Sequence, residues 1–388
     1  MSRFRGSRRR FLRNSVYAAS AIAGTAISSI GLSQCGLFEN GIPEPSSTDT
    51  VTPPPKPQGN KDTLYIYGWT TYVNNEEVVK GFTKETGIKV VSDTYDSLEV
   101  MVSRMQALGK GASYSIIYPS DITVSLMTEI GMLRQLDKSA IPNLINIDEK
   151  FLDPTYDPKS AHSIPVNLGT TGIAYNVKAV KAAVGEEPTD WGDLWKYRDK
   201  LRITLLNDIR SVMGVGLRVL GYSINTTDPS EIEQAYKKLQ ELKPSIASFE
   251  TDAWRDRLIA GDLAICHAYS GDGLSVARKD PNIKYILPSS GADIWTDTVA
   301  IPKTAPNLEA AYKWINYTLK PDVAAKLIND NSFGTTNKAA LPQVSDELKA
   351  IPAWSPSQAD ITKAQRQVKI DPQALRIYED FWTKLTTT

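Results

Sequence analysis

Short apolar runs alternate with amphipathic stretches along most of the chain. Buried strands are predicted at residues 64–67, 88–91 and 115–118 and, beyond Ile173, at residues 201–206, 262–266, 283–287 and 297–301. Apolar positions with helical spacing lie between these runs. Strand–helix alternation with short connections predicts an α/β protein with a mainly parallel sheet covered by helices.

Polar residues that favour helix N-termini precede several of the amphipathic stretches. Asn74 or Asn75 and Ser97 are placed to cap two helices, and Asp121 begins a third. A further helix is predicted over residues 211–221. These signals strengthen the strand–helix interpretation of the hydrophobic pattern.

Sheets of this kind bind ligands in the loops that follow the carboxyl ends of their strands. Residues 69–72 follow the first predicted strand, and residues 119–121 follow the third. Asp208 stands at the end of the strand over residues 201–206. These positions are candidates for a binding site on geometry alone.

The N-terminus carries the pattern of an export signal. Three consecutive arginines, Arg8 to Arg10, precede a stretch without charge that is rich in Ala, Ser, Gly and Ile. Residues 1–34 therefore predict a twin-arginine (Tat) export signal and an extracytoplasmic, periplasmic location.

A cysteine and a tether-like segment follow the predicted signal. Cys35 lies in a short sequence similar to a bacterial lipoprotein cleavage box, although Gln34 departs from the small residue expected there. Residues 35–60 are rich in Pro, Ser and Thr, which is typical of an extended tether. We expect membrane attachment, if any, only through a lipid at Cys35.

The charges of the whole chain balance, with 44 basic and 44 acidic residues. Because six of the arginines lie in the predicted signal, the remainder is mildly acidic, which argues against a nucleic-acid partner. The chain has only two histidines and two cysteines. These are too few for a Cys/His zinc site or a disulfide scaffold, so we expect no metal and no cofactor.

Common catalytic motifs are absent from the sequence. We find no Gly-x-Ser-x-Gly, no P-loop, no Gly-x-Gly-x-x-Gly and no His-Glu-x-x-His. His162 and His267 are not placed to serve as a catalytic base, so we expect a protein that is not an enzyme. A lyase or hydrolase built on an α/β cleft stays open as an alternative.

The ends of the predicted strands carry aromatic residues and carboxylates instead: Trp69, Tyr72, Tyr269, Trp295, Asp208 and Asp297. Aromatic faces attract cations, and carboxylates form charge-assisted hydrogen bonds with ammonium groups. This combination indicates a site for an organic amine.

Four blocks, at residues 67–73, 82–90, 220–223 with 225–229, and 295–302, resemble in order the spermidine/putrescine-binding proteins of bacterial ABC importers. The resemblance covers about residues 62–385. It implies a two-lobed periplasmic-binding fold (type II) whose hinge strands cross twice, with a polyamine bound in the cleft. It also implies importer permease subunits as partners, and we expect a monomer.

The resemblance implies ligand contacts residue by residue. Trp295 matches the tryptophan that sandwiches the methylene chain, Asp297 matches the principal ammonium-binding carboxylate, and Asp208 matches a second acid. Trp69, Tyr72 and Ser120 match further pocket residues. Ser211, Tyr269 and Phe333 stand at pocket positions where the family has other residues, a tryptophan in the case of Tyr269.

Some of these positions depart from the family pattern. Phe333 replaces a tyrosine, Ile122 stands where an aromatic residue is expected, and Ser211 stands where a glutamate would bind a second ammonium. We therefore expect a preference for short amines such as putrescine over spermine. Arg210 offers an alternative, because its guanidinium is able to receive a carboxylate. A zwitterionic ω-amino acid such as 4-aminobutyrate is then the rival ligand.

The same resemblance predicts how the chain is divided. One lobe comprises residues 61–173 plus 296–341, and the other comprises residues 174–295 plus 342–388. The ligand cleft is expected between them.

Overall fold

The computed structural model of the protein describes residues 61–109 and 114–387. The predicted export signal at residues 1–34 and the predicted tether at residues 35–60, with Cys35, lie outside the described residues. Among the helices of the described part, none is long and apolar enough to cross a membrane.

Eleven strands in the described residues form one mixed sheet. They are β1 (Thr63–Trp69), β2 (Lys89–Tyr95), β3 (Ile116–Ile117), β4 (Ser163–Asn176), β5 (Ile203–Leu205), β6 (Ile246–Phe249), β7 (Ile265–Tyr269), β8 (Ile283–Ile286), β9 (Asp293–Ala300), β10 (Gly334–Thr335) and β11 (Gln365–Arg366). The main order is β2-β1-β3-β9-β4-β7-β5-β6, with β8 and β10 paired to β4 and β11 paired to β9.

The sheet has a parallel group on each side of two antiparallel strands. β1 pairs in parallel with β2 and β3, and β5 pairs in parallel with β6 and β7. Between the groups, β4 pairs with β9 along its first part and with β7 along its second. The predicted lobe boundaries at 173/174 and 295/296 fall inside β4 and β9. The division of the chain at those positions stays a prediction.

Fifteen α-helices in the described residues cover the sheet. They are α1 (Thr70–Val73), α2 (Glu76–Thr86), α3 (Leu98–Leu108), α4 (Asp121–Glu129), α5 (Val177–Val184), α6 (Asp193–Tyr197), α7 (Ile209–Val219), α8 (Pro229–Gln240), α9 (Trp254–Ala260), α10 (Ser270–Lys279), α11 (Leu308–Thr318), α12 (Pro321–Asn331), α13 (Asp346–Lys349), α14 (Gln358–Lys363) and α15 (Pro372–Thr387).

Side-chain caps fix where the helices around the cleft begin. Asn75 accepts a hydrogen bond from the Val78 N–H at 3.2 Å, and Ser97 caps α3 in the same way. Asp208 accepts from the Ser211 N–H at 2.8 Å and so caps α7. Because Asp208 is the cap, α7 begins two residues earlier than the sequence pattern predicted.

One predicted strand lies further along the chain than expected. The apolar run at residues 262–266 predicted a strand there, but β7 begins three residues later. Gly261 ends α9 in the left-handed conformation, with φ of 84°. The N–H groups of Asp262 and Leu263 then donate back to the Arg257 carbonyl. The closing turn of α9 therefore uses the first residues of the predicted strand.

Each parallel group of strands has its own hydrophobic core. Beside β1 to β3, Phe82 and Trp314 pack edge to face with ring centroids 5.0 Å apart, and the Trp314 indole donates to the Tyr118 hydroxyl at 2.8 Å. Beside β5 to β7, Trp191 and Tyr378 are fully buried. Since burying one such side chain stabilises the fold by about 1.5–3 kcal/mol, these cores hold the strand ends in place.

Candidate ligand-binding cleft

A cavity that is open to solvent, about 810 Å³ including the open space at its mouth, lies where the ends of β1 and β7 and the loop after β5 face β9. It brings together all nine residues that the resemblance assigned to a ligand: Trp69, Tyr72, Ser120, Asp208, Ser211, Tyr269, Trp295, Asp297 and Phe333. The loops that follow β1, β3, β5 and β7 thus meet at one cavity. The role of each residue as a ligand contact stays a prediction.

Arg210, the predicted carboxylate contact, does not line this cavity. Its guanidinium donates to the Ile224 carbonyl at 3.1 Å and to the Asn225 side chain at 3.0 Å, and it lies over the Tyr378 ring at 5.2 Å. Successive residues of a helix point about 100° apart. Ser211 therefore faces the cavity while Arg210 is directed into a structural cluster behind it.

Aromatic rings form the walls of the cavity. Tyr269 and Phe333 meet Trp295 edge to face, each with ring centroids 5.7 Å apart. Phe333 also stacks against Tyr72 at 6.1 Å. These rings present flat apolar faces and a negative quadrupole to the enclosed space, which suits a methylene chain that ends in a cation.

A glycine makes room for the central tryptophan. Gly169 of β4 lies opposite Trp295 of β9 in the sheet register. A Cβ atom at this glycine would stand only 2.1 Å from the indole ring. The indole N–H donates to the Thr171 hydroxyl at 3.2 Å. The tryptophan ring therefore lies flat along β4, and its orientation depends on the absence of a side chain at Gly169.

Asp297 is held by a chain of two hydrogen bonds. The Tyr72 hydroxyl donates to its Oδ2 at 2.7 Å, and the Asn167 amide donates to the Tyr72 oxygen at 2.7 Å. Burial raises the pKa of Asp297 to about 7; the Tyr72 hydrogen bond opposes this shift, and the charge of Asp272 adds to it. The unliganded protein thus holds a poorly solvated carboxyl group that a ligand cation would stabilise in its charged form.

Asp208 presents the second carboxylate under different conditions. Its Oδ1 caps α7 through the Ser211 N–H, and its Oδ2 accepts from the Tyr269 hydroxyl at 2.8 Å. The side chain is half-buried. Because two donors and partial exposure to water already satisfy its oxygens, Asp208 depends less on a ligand than Asp297 does.

Four further aspartates line the cavity, and each has an arginine partner. The pairs are Asp121 with Arg366, Asp252 and Asp272 with a shared Arg255, and Asp293 with Arg218. Within residues 61–109 and 114–387, Asp208 and Asp297 are the cavity aspartates without a cationic partner.

The sequence patterns did not single out Asp252, Asp272, Asp293 or Gln367, although all four line the cavity. Asp272 lies in the first turn of α10, directly after the end of β7, which is a position where sheets of this kind bind ligands. Gln367 comes from the C-terminal segment, where no local pattern marks a binding site.

Neither histidine lines the cavity. Burial lowers the pKa of His267 to about 3, and its ring packs edge to face against Trp191. The His162 Nδ1 lies 3.3 Å from an Asp157 oxygen. In the part of the chain that the structure describes, no group of three or more His, Cys, Asp or Glu side chains is arranged to hold a metal ion. The cavity therefore offers aromatic faces and carboxylates as its binding groups.

Comparison with known proteins assigns this architecture to a family. Residues 77–356 match the model of the bacterial extracellular solute-binding proteins. The chain belongs to this family. Its two groups of strands joined by β4 and β9 form the two-lobed periplasmic-binding fold of type II that was expected.

Several members of the family are similar over most of the chain. The spermidine/putrescine-binding periplasmic protein of Escherichia coli is 36% identical over 326 residues, which cover 84% of this chain and 92% of that protein. The putrescine-binding periplasmic protein PotF of the same organism is 32% identical over 340 residues, covering 83% and 91%.

Solved structures of the family superpose on the described fold. PotD of Streptococcus pneumoniae, a spermidine/putrescine ABC transporter substrate-binding protein, is 34% identical with a TM-score of 0.70, covering 84% of this chain and 98% of that one. The TpPotD lipoprotein of Treponema pallidum is 27% identical with a TM-score of 0.72, covering 84% and 100%.

Proposed function

We propose that this solute-binding protein captures a short aliphatic diamine of the putrescine class for an ABC importer. The observation that supports this most strongly is the pair Asp208 and Asp297. Among six cavity aspartates, these two have no cationic partner in the described residues. Two such carboxylates in an aromatic cavity complement a chain with an ammonium group at each end.

Capture requires no chemical step. The aromatic rings cover the methylene chain, and the two carboxylates fix its ends. Closure of the lobes, residues 61–173 plus 296–341 against residues 174–295 plus 342–388, then excludes water and presents one shape to the permease subunits. The names of the relatives support a periplasmic location and a polyamine ligand.

The structure favours the amine over the rival ligand and over catalysis. Arg210, on which a zwitterionic ω-amino acid would depend, is directed away from the cavity and bound to Ile224 and Asn225. Neither histidine lines the cavity, so no histidine is placed there to act as a general base. These placements support a binding protein without turnover.

A thermal-shift screen tests the proposed ligand class. Putrescine, spermidine, spermine and 4-aminobutyrate are each added to the purified protein, with unliganded protein as the reference. A ligand at about a hundred times its Kd stabilises the folded state by about 2.7 kcal/mol. Among the three polyamines, putrescine should raise Tm most and spermine least. A larger shift with 4-aminobutyrate than with any polyamine would overturn the proposal.

Amine binding should weaken as the pH falls below about 7. Burial raises the pKa of Asp297 to about 7, so protonation then competes with the ammonium group. The amine itself stays charged, because its pKa is near that of lysine, about 10.4. Burial also raises the pKa of Asp272, to about 6, so Asp272 loses its negative charge at a lower pH than Asp297 does.

Calorimetry between about pH 8 and pH 5.5 measures this effect. Affinity should fall roughly tenfold per pH unit below about 7, with one proton released per ligand bound. Asp297→Asn is the control and should lose most of the dependence above about pH 6. A wild-type affinity that stays constant across the range would show that Asp297 does not exchange a proton for the ligand.

The predicted N-terminal signal and Cys35 bear on how the binding domain is attached to a membrane. We infer that residues 1–34 direct Tat export and that Cys35 carries a lipid, so residues 35–60 tether the binding domain to a membrane. Mass spectrometry of the native protein should then find Cys35 as the modified first residue. An intact N-terminus on exported protein would reject the signal, and an unmodified Cys35 would reject the lipid.

A further inference from the structure

Asp121 lines the cleft, but neighbouring groups of the protein already bind both of its carboxylate oxygens. It is the first residue of α4, lines the cavity and is 3% exposed. Its Oδ1 accepts from the Ile122 N–H at 2.8 Å. Its Oδ2 accepts from the Thr296 N–H at 3.1 Å and from the Arg366 guanidinium. Both oxygens are occupied and the charge is paired.

The pairing cation comes from a distant part of the chain. Arg366 lies in β11, 245 residues beyond Asp121, and its Nη1 also donates to the Thr296 hydroxyl at 3.0 Å. Asn225, just beyond α7, fixes this backbone by donating to the Arg366 carbonyl at 2.9 Å and accepting from the Val368 N–H at 2.9 Å. The arginine is therefore anchored beside α7 and reaches across to α4.

This arrangement controls how many carboxylates the cleft offers. Asp208 and Asp297 are free of cationic partners, and Asp121 would become a third such group if Arg366 were neutral. A buried ammonium is tolerated only where it meets a charged acceptor, so each additional free carboxylate favours a ligand with an additional ammonium group.

We propose that Arg366 is a specificity-determining residue, which neutralises Asp121 and so favours diamines over triamines. The proposal rests on the proposed function of the same cleft. Arg366 does not itself touch the ligand; its effect is exerted through Asp121.

Titration of Arg366→Met with putrescine and spermidine tests this assignment. Methionine keeps an apolar stem of similar reach and removes the charge. The ratio of the spermidine Kd to the putrescine Kd should fall at least about tenfold relative to the wild type. An unchanged ratio, or an equal loss of affinity for both amines, would overturn the proposal. Arg366→Gln gives the same comparison if the methionine variant does not fold.

Two further variants assign the effect to Asp121. The double variant Arg366→Met with Asp121→Asn leaves no unpaired charge at position 121 and should return the ratio to the wild-type value. A shift that persists in it would mean that another group is responsible and would reject the proposal. Lys369→Met removes a neighbouring ion pair, with Glu129, from the same segment and should leave the ratio unchanged.

The wild-type titrations separate this proposal from the function on which it rests. If the wild type binds neither amine, the proposed function fails. If it binds putrescine and the Arg366→Met ratio does not move, only the role of Arg366 fails.

Discussion

Asp297→Asn should weaken putrescine binding by roughly 30-fold to several thousand-fold, which corresponds to about 2–5 kcal/mol for removing one partner of a buried charge pair. Asparagine has nearly the same shape and keeps one acceptor for the Tyr72 hydroxyl, which donates to Oδ2 at 2.7 Å. The geometry of the wall is therefore retained, and what is lost is the negative charge next to the ligand cation. Calorimetric titration of both proteins at about pH 8 measures the difference.

The unliganded variant should be at least as stable as the wild type. Burial raises the pKa of Asp297 to about 7 from its ordinary value of 3.8. Between those two pH values the folded protein holds a proton that the unfolded chain has released. This group's contribution to stability therefore declines as the pH rises towards 7 and stays lowest above it. Asparagine removes that penalty, so a lower Tm at about pH 8 would argue against the burial of this carboxyl group.

Asp208→Asn is the matched control for Asp297→Asn. Asparagine caps a helix about as well as aspartate, so α7 should keep its start at Ile209. Asp208 is half-buried and already receives two hydrogen bonds, which leaves it less dependent on the ligand. Its replacement should cost less affinity. An equal or larger loss than that of Asp297→Asn would reverse the ranking of the two carboxylates.

Gly169→Ala should reduce amine affinity at least about tenfold while the fold is retained. The new Cβ would stand 2.1 Å from the Trp295 indole, so the ring has to leave its position along β4 and lose its hydrogen bond to Thr171. The ladder between β4 and β9 uses backbone groups and is not changed by a methyl group. Ligand titration, with tryptophan fluorescence to report the ring, measures the effect.

A double-mutant cycle shows whether the loss is transmitted by the ring. In a Trp295→Ala background, Gly169→Ala should have little further effect on affinity, because the ring that it displaces is gone. The same loss in both backgrounds would mean that Gly169 acts in another way. Gly192→Ala is the control, since a Cβ there meets nothing within 4 Å and the backbone is helical. It should leave affinity unchanged.

Local sequence patterns were enough to predict the strand ends of this cleft. Trp69 and Tyr72 directly follow an apolar run, and Asp208 follows another. Ligands bind after the carboxyl ends of such strands, so each of these side chains was a candidate for a site. The structure brings them to one cavity although β1 and β5 belong to different parallel groups. Such reasoning works where a short buried strand leads into a helix within a few residues, as β1 does into α1 and β5 into α7.

The same reasoning did not predict the long strand β4. Pro165, Gly169 and Gly172 interrupt its sequence and are typical of turns. In the fold, a register irregularity between Pro165 and Asn167 accommodates the proline, and Gly169 admits the Trp295 ring. Tertiary contacts therefore decide the conformation of this segment, and its local composition does not reveal them.

The arginine partners of the cleft aspartates also were not predictable from the sequence, for a related reason. Arg366 pairs with Asp121 across 245 residues, and Arg218 pairs with Asp293 across 75. Spacing along the chain carries no signal for such pairs. The sequence singled out Asp208 and Asp297 by their positions and by the resemblance. The fold adds that, among the six cavity aspartates, these two lack a cationic partner in the described residues.

A crystal structure of the protein with putrescine is the most direct test of the central claim. One ammonium nitrogen should lie within hydrogen-bond distance of an Asp297 oxygen, about 2.7–2.9 Å, and the other should bind the Asp208 carboxylate directly or through one water. The methylene chain should lie against the Trp295 ring. A diamine whose two nitrogens bind other groups, or an empty cavity at saturating putrescine, would contradict the account.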